Sequence, residues 1–229
     1  MRPKNAVTSF FLIIFAIVIC GYMLISVQNL SRASQIRATG VTVSVEEDID
    51  IISVDIVRQD LSTYGMKMML EDRNLRFCDY GSQLACTASV LRLHNIYYEV
   101  DTLYDFFYTN GLYPKDTNGG YKDVVGKAVR YEYDTDTYNS MYKNPYIEKT
   151  PVFNSKDIVK YLKSGVPVLA RVTHPEIDRY WVLIIGAHNS DFIIMDPLSS
   201  TYGSLSQYSS RVYEIYTFIS TTDITDTAQ

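Results

Sequence analysis

The strongest pattern in the chain is a stretch with no polarity to speak of. Residues 6–27, AVTSFFLIIFAIVICGYMLISV, carry no charged side chain. At 1.5 Å per helical residue these 22 residues reach about 33 Å, enough to cross the hydrocarbon core of a bilayer. The pattern predicts one transmembrane helix over 6–28 behind a short N-terminus, 1–5. A cleaved signal peptide is the competing reading, but its apolar region would be overlong and no small-x-small cleavage site follows. Ile19 is bulky for the position before a lipid-modified Cys20. Residues 29–40 are polar and small and read as a stalk. The domain then occupies 41–229.

Inside the domain the periodicity changes several times. VTVSVEEDIDIISVDIV, 41–57, alternates apolar and polar in part and is rich in β-branched residues, which predicts one or two strands. Residues 58–77 fit neither period. Residues 84–93 are apolar most of the way round a helix, as expected of one buried between layers. DTLYDFFYTNG predicts a second helix with Asp101 as N-cap and Gly111 as stop. YKDVVGKAV, 121–129, is a weaker third, and 131–153 reads as a long surface excursion. SKDIVKYLKSG is a short helix ending at Gly165. Four strands follow at close spacing: VPVLARVT, RYWVLIIGA, DFIIMDP and RVYEIYTFI. Helices first and an antiparallel sheet second is the order of an α+β domain.

Charge narrows the partners. The formal net charge is −5, and no acid precedes Glu46. With Arg2 and Lys4 set aside, 19 bases face 26 acids, a net −7 beyond the apolar run. Nucleic acid is therefore not an expected partner, since binding phosphate backbones needs a basic surface. Arg2, Lys4 and the terminal amine before the helix are nearly matched by Arg32 and Arg37 after it, so charge asymmetry orients it only slightly. The very short N-terminus favours a single-pass protein of the cell membrane with its domain extracytoplasmic. The 20 tyrosines suit half-buried strands and interaction surfaces.

Cys20 lies in the apolar run, leaving Cys78 and Cys86; they are far from His94, His174 and His188, and no metal-ligand spacing occurs. No cofactor is expected. Cys86 reads as a small apolar residue of the buried helix, and a Cys78–Cys86 disulfide is the alternative outside the cell.

The ordered set GSQLACTASVLRLHNI, GVPVLARVT and YWVLIIGAHNSDFIIMDPL resembles the papain-like bacteriocin-processing peptidases. That resemblance implies a papain-like cysteine-peptidase fold, a central helix packed on an antiparallel sheet. It places the family's nucleophilic Cys at Ser82, its His at Tyr180 and its Asp at Asp196. The family's oxyanion Gln, about six residues before the Cys, falls near Arg76. Thiolate chemistry needs a sulfur, a base and an oxyanion donor. A serine without a base and a phenol with a reference pKa of about 10 do not supply it. Ser82 then reads as a helix N-cap, Tyr180 as a packing residue or a partner of Asp196, and Gln83 and Trp181 as binding residues of a former cleft. The implied protein is a membrane-anchored pseudoenzyme that binds a peptide or protein partner. Two rivals stand beside it. One is an active peptidase using Cys78 or Cys86 with His174 or His188; the other is an unrelated anchored structural or adhesive domain.

Overall fold

In the computed structural model, residues 4–70, 75–110, 138–140, 144–177 and 180–220 are described. Helix α1 (Lys4–Thr39) contains the apolar run. Among the described residues it is the one helix long and apolar enough to cross a membrane, by length and composition. It does not end where the apolar run ends. The polar segment expected as a stalk continues the same helix to Thr39, and its lone isoleucine, Ile36, is buried against the domain at 7% exposure. Gly40 closes the helix: its φ is +70° and its N–H donates to the Ile36 carbonyl at 2.7 Å.

Strand β1 (Val41–Thr42) follows, then β2 (Met68–Leu70) and β3 (Leu75–Arg76), which pair only with each other. Helices α2 (Phe77–Tyr80), α3 (Ser82–Leu93) and α4 (Val100–Thr109) come next. Strand β4 (Tyr146–Thr150) and helix α5 (Ser155–Lys163) precede β5 (Val168–Val172), β6 (Tyr180–His188) and β7 (Asp191–Met195). A short β8 (Gly203–Ser204), a 3-10 turn over Leu205–Tyr208 and β9 (Arg211–Ile219) are the last of the described elements. Every strand pair among them is antiparallel, and the main sheet runs β1-β9-β5-β6-β7-β8 with β4 also on β9. The class is α+β.

Both faces of the sheet are covered, which explains why β5 and β6 read as continuous apolar runs instead of alternating ones. On one face Trp181, Leu183 and Ile185 pack with Leu84, Val90, Leu103 and Phe107 of α3 and α4. On the other, Tyr180, Val182 and Ile184 pack with Ile158 and Leu162 of α5 and with Ile36 of α1.

Several expectations shift. Of the strands anticipated over 41–57, only β1 forms. The rest runs extended beside β6, held by single contacts such as Ile49 N–H to Ala187 O at 2.9 Å and Ile52 N–H to Ile185 O at 2.8 Å. That crossing needs Gly186, because a Cβ there would meet the Ile49 and Asp50 carbonyls at 3.1 and 3.2 Å. Helix α4 is capped by Glu99 in a box with Thr102, two positions before the expected Asp101, and ends at Asn110. Asp101 instead binds Lys67 at 2.5 Å. The anticipated helix over 121–129 lies outside the described residues, as do 131–137 and 141–143 of the surface excursion expected over 131–153. The remainder of that stretch is not a surface excursion: β4 buries Ile147 at 2% exposure.

Candidate functional site

The mouth of α3 opens where β7 leaves the sheet. The β6–β7 ladder ends at Leu183 opposite Met195, so Trp181 has no β7 residue opposite it. The Ser82 hydroxyl takes that place, accepting the Trp181 backbone N–H at 3.1 Å. Ser82 is the first residue inside the helix, Gly81 occupies the cap position, and no side chain caps the turn. The expected N-cap role is thus replaced by a link between helix and sheet. Ser82 is 1% exposed, and no imidazole or carboxylate is hydrogen-bonded to it among the described residues.

Tyr180 directly precedes the residue that Ser82 touches. Its ring lies in the layer away from α3, and its hydroxyl donates to Asp196 Oδ1. Asp196 also accepts the Leu198 N–H at 2.9 Å on that oxygen and the Tyr208 hydroxyl at 2.6 Å on Oδ2. Burial first, then the Asp196 carboxylate, pushes the Tyr180 phenol well above the ordinary tyrosine range. Tyr208 is raised as well, by burial and by its bond to Asp196. Neither phenol is a proton acceptor near neutral pH. The structure therefore brings Ser82, Tyr180 and Asp196 to one neighbourhood, with Tyr180 bound to Asp196 and neither bound to Ser82.

His174 folds back over this cluster, its ring 4.7 Å from that of Tyr180 and 6.2 Å from that of Tyr208. Its Nδ1 accepts the backbone N–H groups of Glu176 and Ile177, both at 3.1 Å, so this nitrogen is committed to the local turn. His188 sits on the exposed strand end with Asp48 at 3.1 Å. Neither Cys78 nor Cys86 is hydrogen-bonded to an imidazole among the described residues. Cys86 is buried and donates to the Trp181 carbonyl at 3.6 Å; Cys78 meets Asp79 at 3.5 Å. Burial raises both thiols above the usual range, the opposite of a reactive cysteine. Both are free, which corrects the disulfide alternative. Among the described residues no group of three or more His, Cys, Asp or Glu could hold a metal.

Gln83 and Trp181 are more enclosed than binding residues of an open cleft. Trp181 is 2% exposed and packs against Tyr216, ring centroids 5.4 Å apart. Gln83 is 3% exposed, and both its amide atoms are buried without a hydrogen-bond partner. Gln59, which the sequence pattern did not single out, joins them. It donates its backbone N–H to Pro197 O at 3.1 Å and its Nε2 to Cys78 O at 2.6 Å, while its Oε1 is buried and unpartnered. The position about six residues before Ser82, Arg76, turns instead to an ion pair with Asp79 at 2.8 Å. The one signal for Gln59 is that it is a polar residue just past the apolar positions Val54, Ile56 and Val57.

No family model and no curated protein matches the chain. It is similar to the crystal structure of a putative C39-like peptidase from Bacillus anthracis. The two share 12% identity with a TM-score of 0.48, over 76% of this chain and 98% of that one. At that identity the likeness concerns the trace of the chain and says nothing of side-chain roles.

Proposed function

We propose that the protein is a membrane-anchored peptidase-like domain without peptidase chemistry, which binds a peptide or protein partner. The observation that carries this reading is the state of the Ser82 hydroxyl. It is buried and engaged as an acceptor by a backbone amide, and among the described residues no base is hydrogen-bonded to it to take its proton. Nucleophilic catalysis by a hydroxyl requires such a base within hydrogen-bonding reach. The phenol at position 180 is a donor to Asp196 instead.

Binding is supported by the amides around the same helix mouth. Buried polar groups without partners cost about 1–3 kcal/mol each, and three such atoms gather on Gln59 and Gln83. Gln59 and Gln83 are enclosed at 0% and 3% exposure, so a peptide meets them only when the helix mouth opens, and its backbone then offers both the donors and the acceptors that they lack. The α1 helix supplies the anchor, with the domain on the extracytoplasmic side.

The test is to incubate the purified full chain with a mixed peptide library and with thiol- and serine-directed activity probes. The reading expects peptides retained at unchanged mass and no activity-linked labelling. Cleavage that disappears on Cys78→Ala, Cys86→Ala or Ser82→Ala overturns it. Surface proteolysis of intact cells, removing the domain while α1 survives, checks the orientation.

A further inference from the structure

The junction between α1 and the sheet is built differently from the rest of the domain. The outer edge of β9 is shared end to end: β1 pairs with Arg211 and Val212, and β4 pairs from Ile215 to Ile219. Tyr213 and Glu214 are left between them, and α1 lies across the gap. The result is a cleft of about 300 Å³ lined by Leu30, Ser34 and Arg37 of α1, Lys149 of β4, and Tyr213 and Glu214 of β9.

Its charge is inverted relative to the domain. Glu214, 7% exposed, faces Arg37 at 2.7 Å, Arg171 at 3.7 Å and Lys149 at 3.8 Å. The charged residues that line the cleft, Arg37, Lys149 and Glu214, together carry +1, with Arg171 on Glu214 from outside it, on a chain whose portion beyond the apolar run is net negative. Arg37 meets Glu214 with its Nε at 2.7 Å, and its side chain is 49% exposed, so half of an arginine that can recognise phosphate remains open to solvent.

Height matters as much as charge. Along the helix axis Leu30 stands roughly 5 Å and Arg37 roughly 15 Å beyond Val27, the last residue of the apolar run, so the lower end of the cleft lies at the headgroup layer and Arg37 has to reach back down to it. A bilayer's headgroup layer is about 5–8 Å deep on each side. Leu30, an apolar side chain, is 71% exposed there.

We propose that this cleft binds the phosphodiester headgroup of an anionic phospholipid, with Arg37 and Lys149 on the phosphate and Leu30 against the glycerol and acyl ends. The bound lipid holds the domain at a fixed tilt on the membrane, through a helix that Ile36 and Gly40 have already made continuous with the fold. The inference rests on the reading of α1 as a membrane span.

The experiment uses the full chain in nanodiscs of phosphatidylcholine, with and without phosphatidylglycerol. Native mass spectrometry counts retained lipid and a thermal melt follows the domain. The expected result is selective retention of phosphatidylglycerol and a higher melting temperature in its presence. Each of Arg37→Gln and Lys149→Gln should weaken retention about fivefold, from roughly 1 kcal/mol per basic residue near an anionic surface. Arg92→Gln, a base on α3 away from the junction, should not. If Arg37→Gln disturbs the fold through its lost contact with Glu214, Lys149→Gln still decides. Equal retention of both lipids overturns the proposal. So does an equal melting shift from inorganic phosphate in phosphatidylcholine alone, which would make the cleft a free-phosphate site. A chain that leaves the membrane on alkaline washing overturns the anchor and this site together, whereas one that stays and shows no lipid preference overturns only the site.

Discussion

Asp196 and Glu214 are buried to the same degree, 7% exposed each, and are satisfied in opposite ways. Asp196 receives two phenols and a backbone amide, all donors that carry no charge. Glu214 receives three cations, the nearest of them from α1, besides the Tyr216 hydroxyl at 3.5 Å. Uncharged donors around a carboxylate hold geometry without responding much to ionic strength. Cations hold it through a field that salt screens and that partly exposed partners weaken. The first arrangement locks the region around Tyr180 into the core. The second fastens helix α1 to the sheet edge. Burial alone does not fix what a carboxylate does; the kind of donor facing it does.

The largest expected effect comes from removing the core carboxylate. Asp196→Ala leaves two phenols and one amide without their acceptor and should cost on the order of 3 kcal/mol, read as a lowered urea midpoint. Glu214→Gln should cost less, about 2 kcal/mol, because Arg37 and Lys149 remain partly in water. Salt separates the two. In molar sodium chloride the Glu214→Gln penalty should shrink, while that of Asp196→Ala stays put. Equal salt responses would erase the distinction between the two carboxylates.

The unequal visibility of these regions in the sequence has a physical origin. Helix α1 is legible from its long uncharged run, and α3 and the strands β5, β6, β7 and β9 are legible because burial on one or two faces imposes an apolar pattern on many consecutive residues. Tyr180 and Asp196 are legible as a pair from their places at the start of one strand and the end of the next. What is not legible depends on single contacts between distant segments. Gln59 reaches the α3 mouth from a segment that no local pattern ties to that helix. Tyr208 joins Asp196 from a 3-10 turn that has no apolar repeat. Ser82 looks like a cap by residue type, yet its partner is a backbone amide on another element. Ile36 is one apolar residue in a polar segment, a signal too sparse to distinguish a docked helix from a stalk.

The phenols give the comparison a pH axis. Tyr180 and Tyr208 are both raised above the ordinary range, burial first, so the folded state disfavours their ionised forms. Their contribution to stability is fully present below the unfolded value of about 10 and is lost above it, as the unfolded chain ionises and the folded chain does not. The urea midpoint should therefore be insensitive to these groups up to about pH 10 and fall beyond it. Tyr180→Phe should cost about 1.5–2 kcal/mol at neutral pH, for a hydrogen bond to a charged acceptor, and should make the alkaline fall shallower. Tyr64, raised mainly by burial, keeps part of that fall in the variant. An unchanged alkaline limb in Tyr180→Phe would mean that the phenol is not the group held by Asp196.

Ser82 should give the smallest effect on stability and the most direct probe of the helix mouth. Its hydroxyl completes the coordination of one strand amide, so Ser82→Ala should cost about 1 kcal/mol, the penalty for leaving the Trp181 N–H buried without an acceptor. Ser82→Cys places a larger, weaker acceptor in the same buried seat and should destabilise by a similar amount without creating a reactive thiol, since the neighbouring phenol offers no base. A thiol probe measures this directly. Rapid, pH-dependent labelling of the cysteine in that variant would mean that a base does reach the helix mouth, and the contrast between a sealed core carboxylate and a salt-bridged helix junction would have to be redrawn with an active centre beside the first.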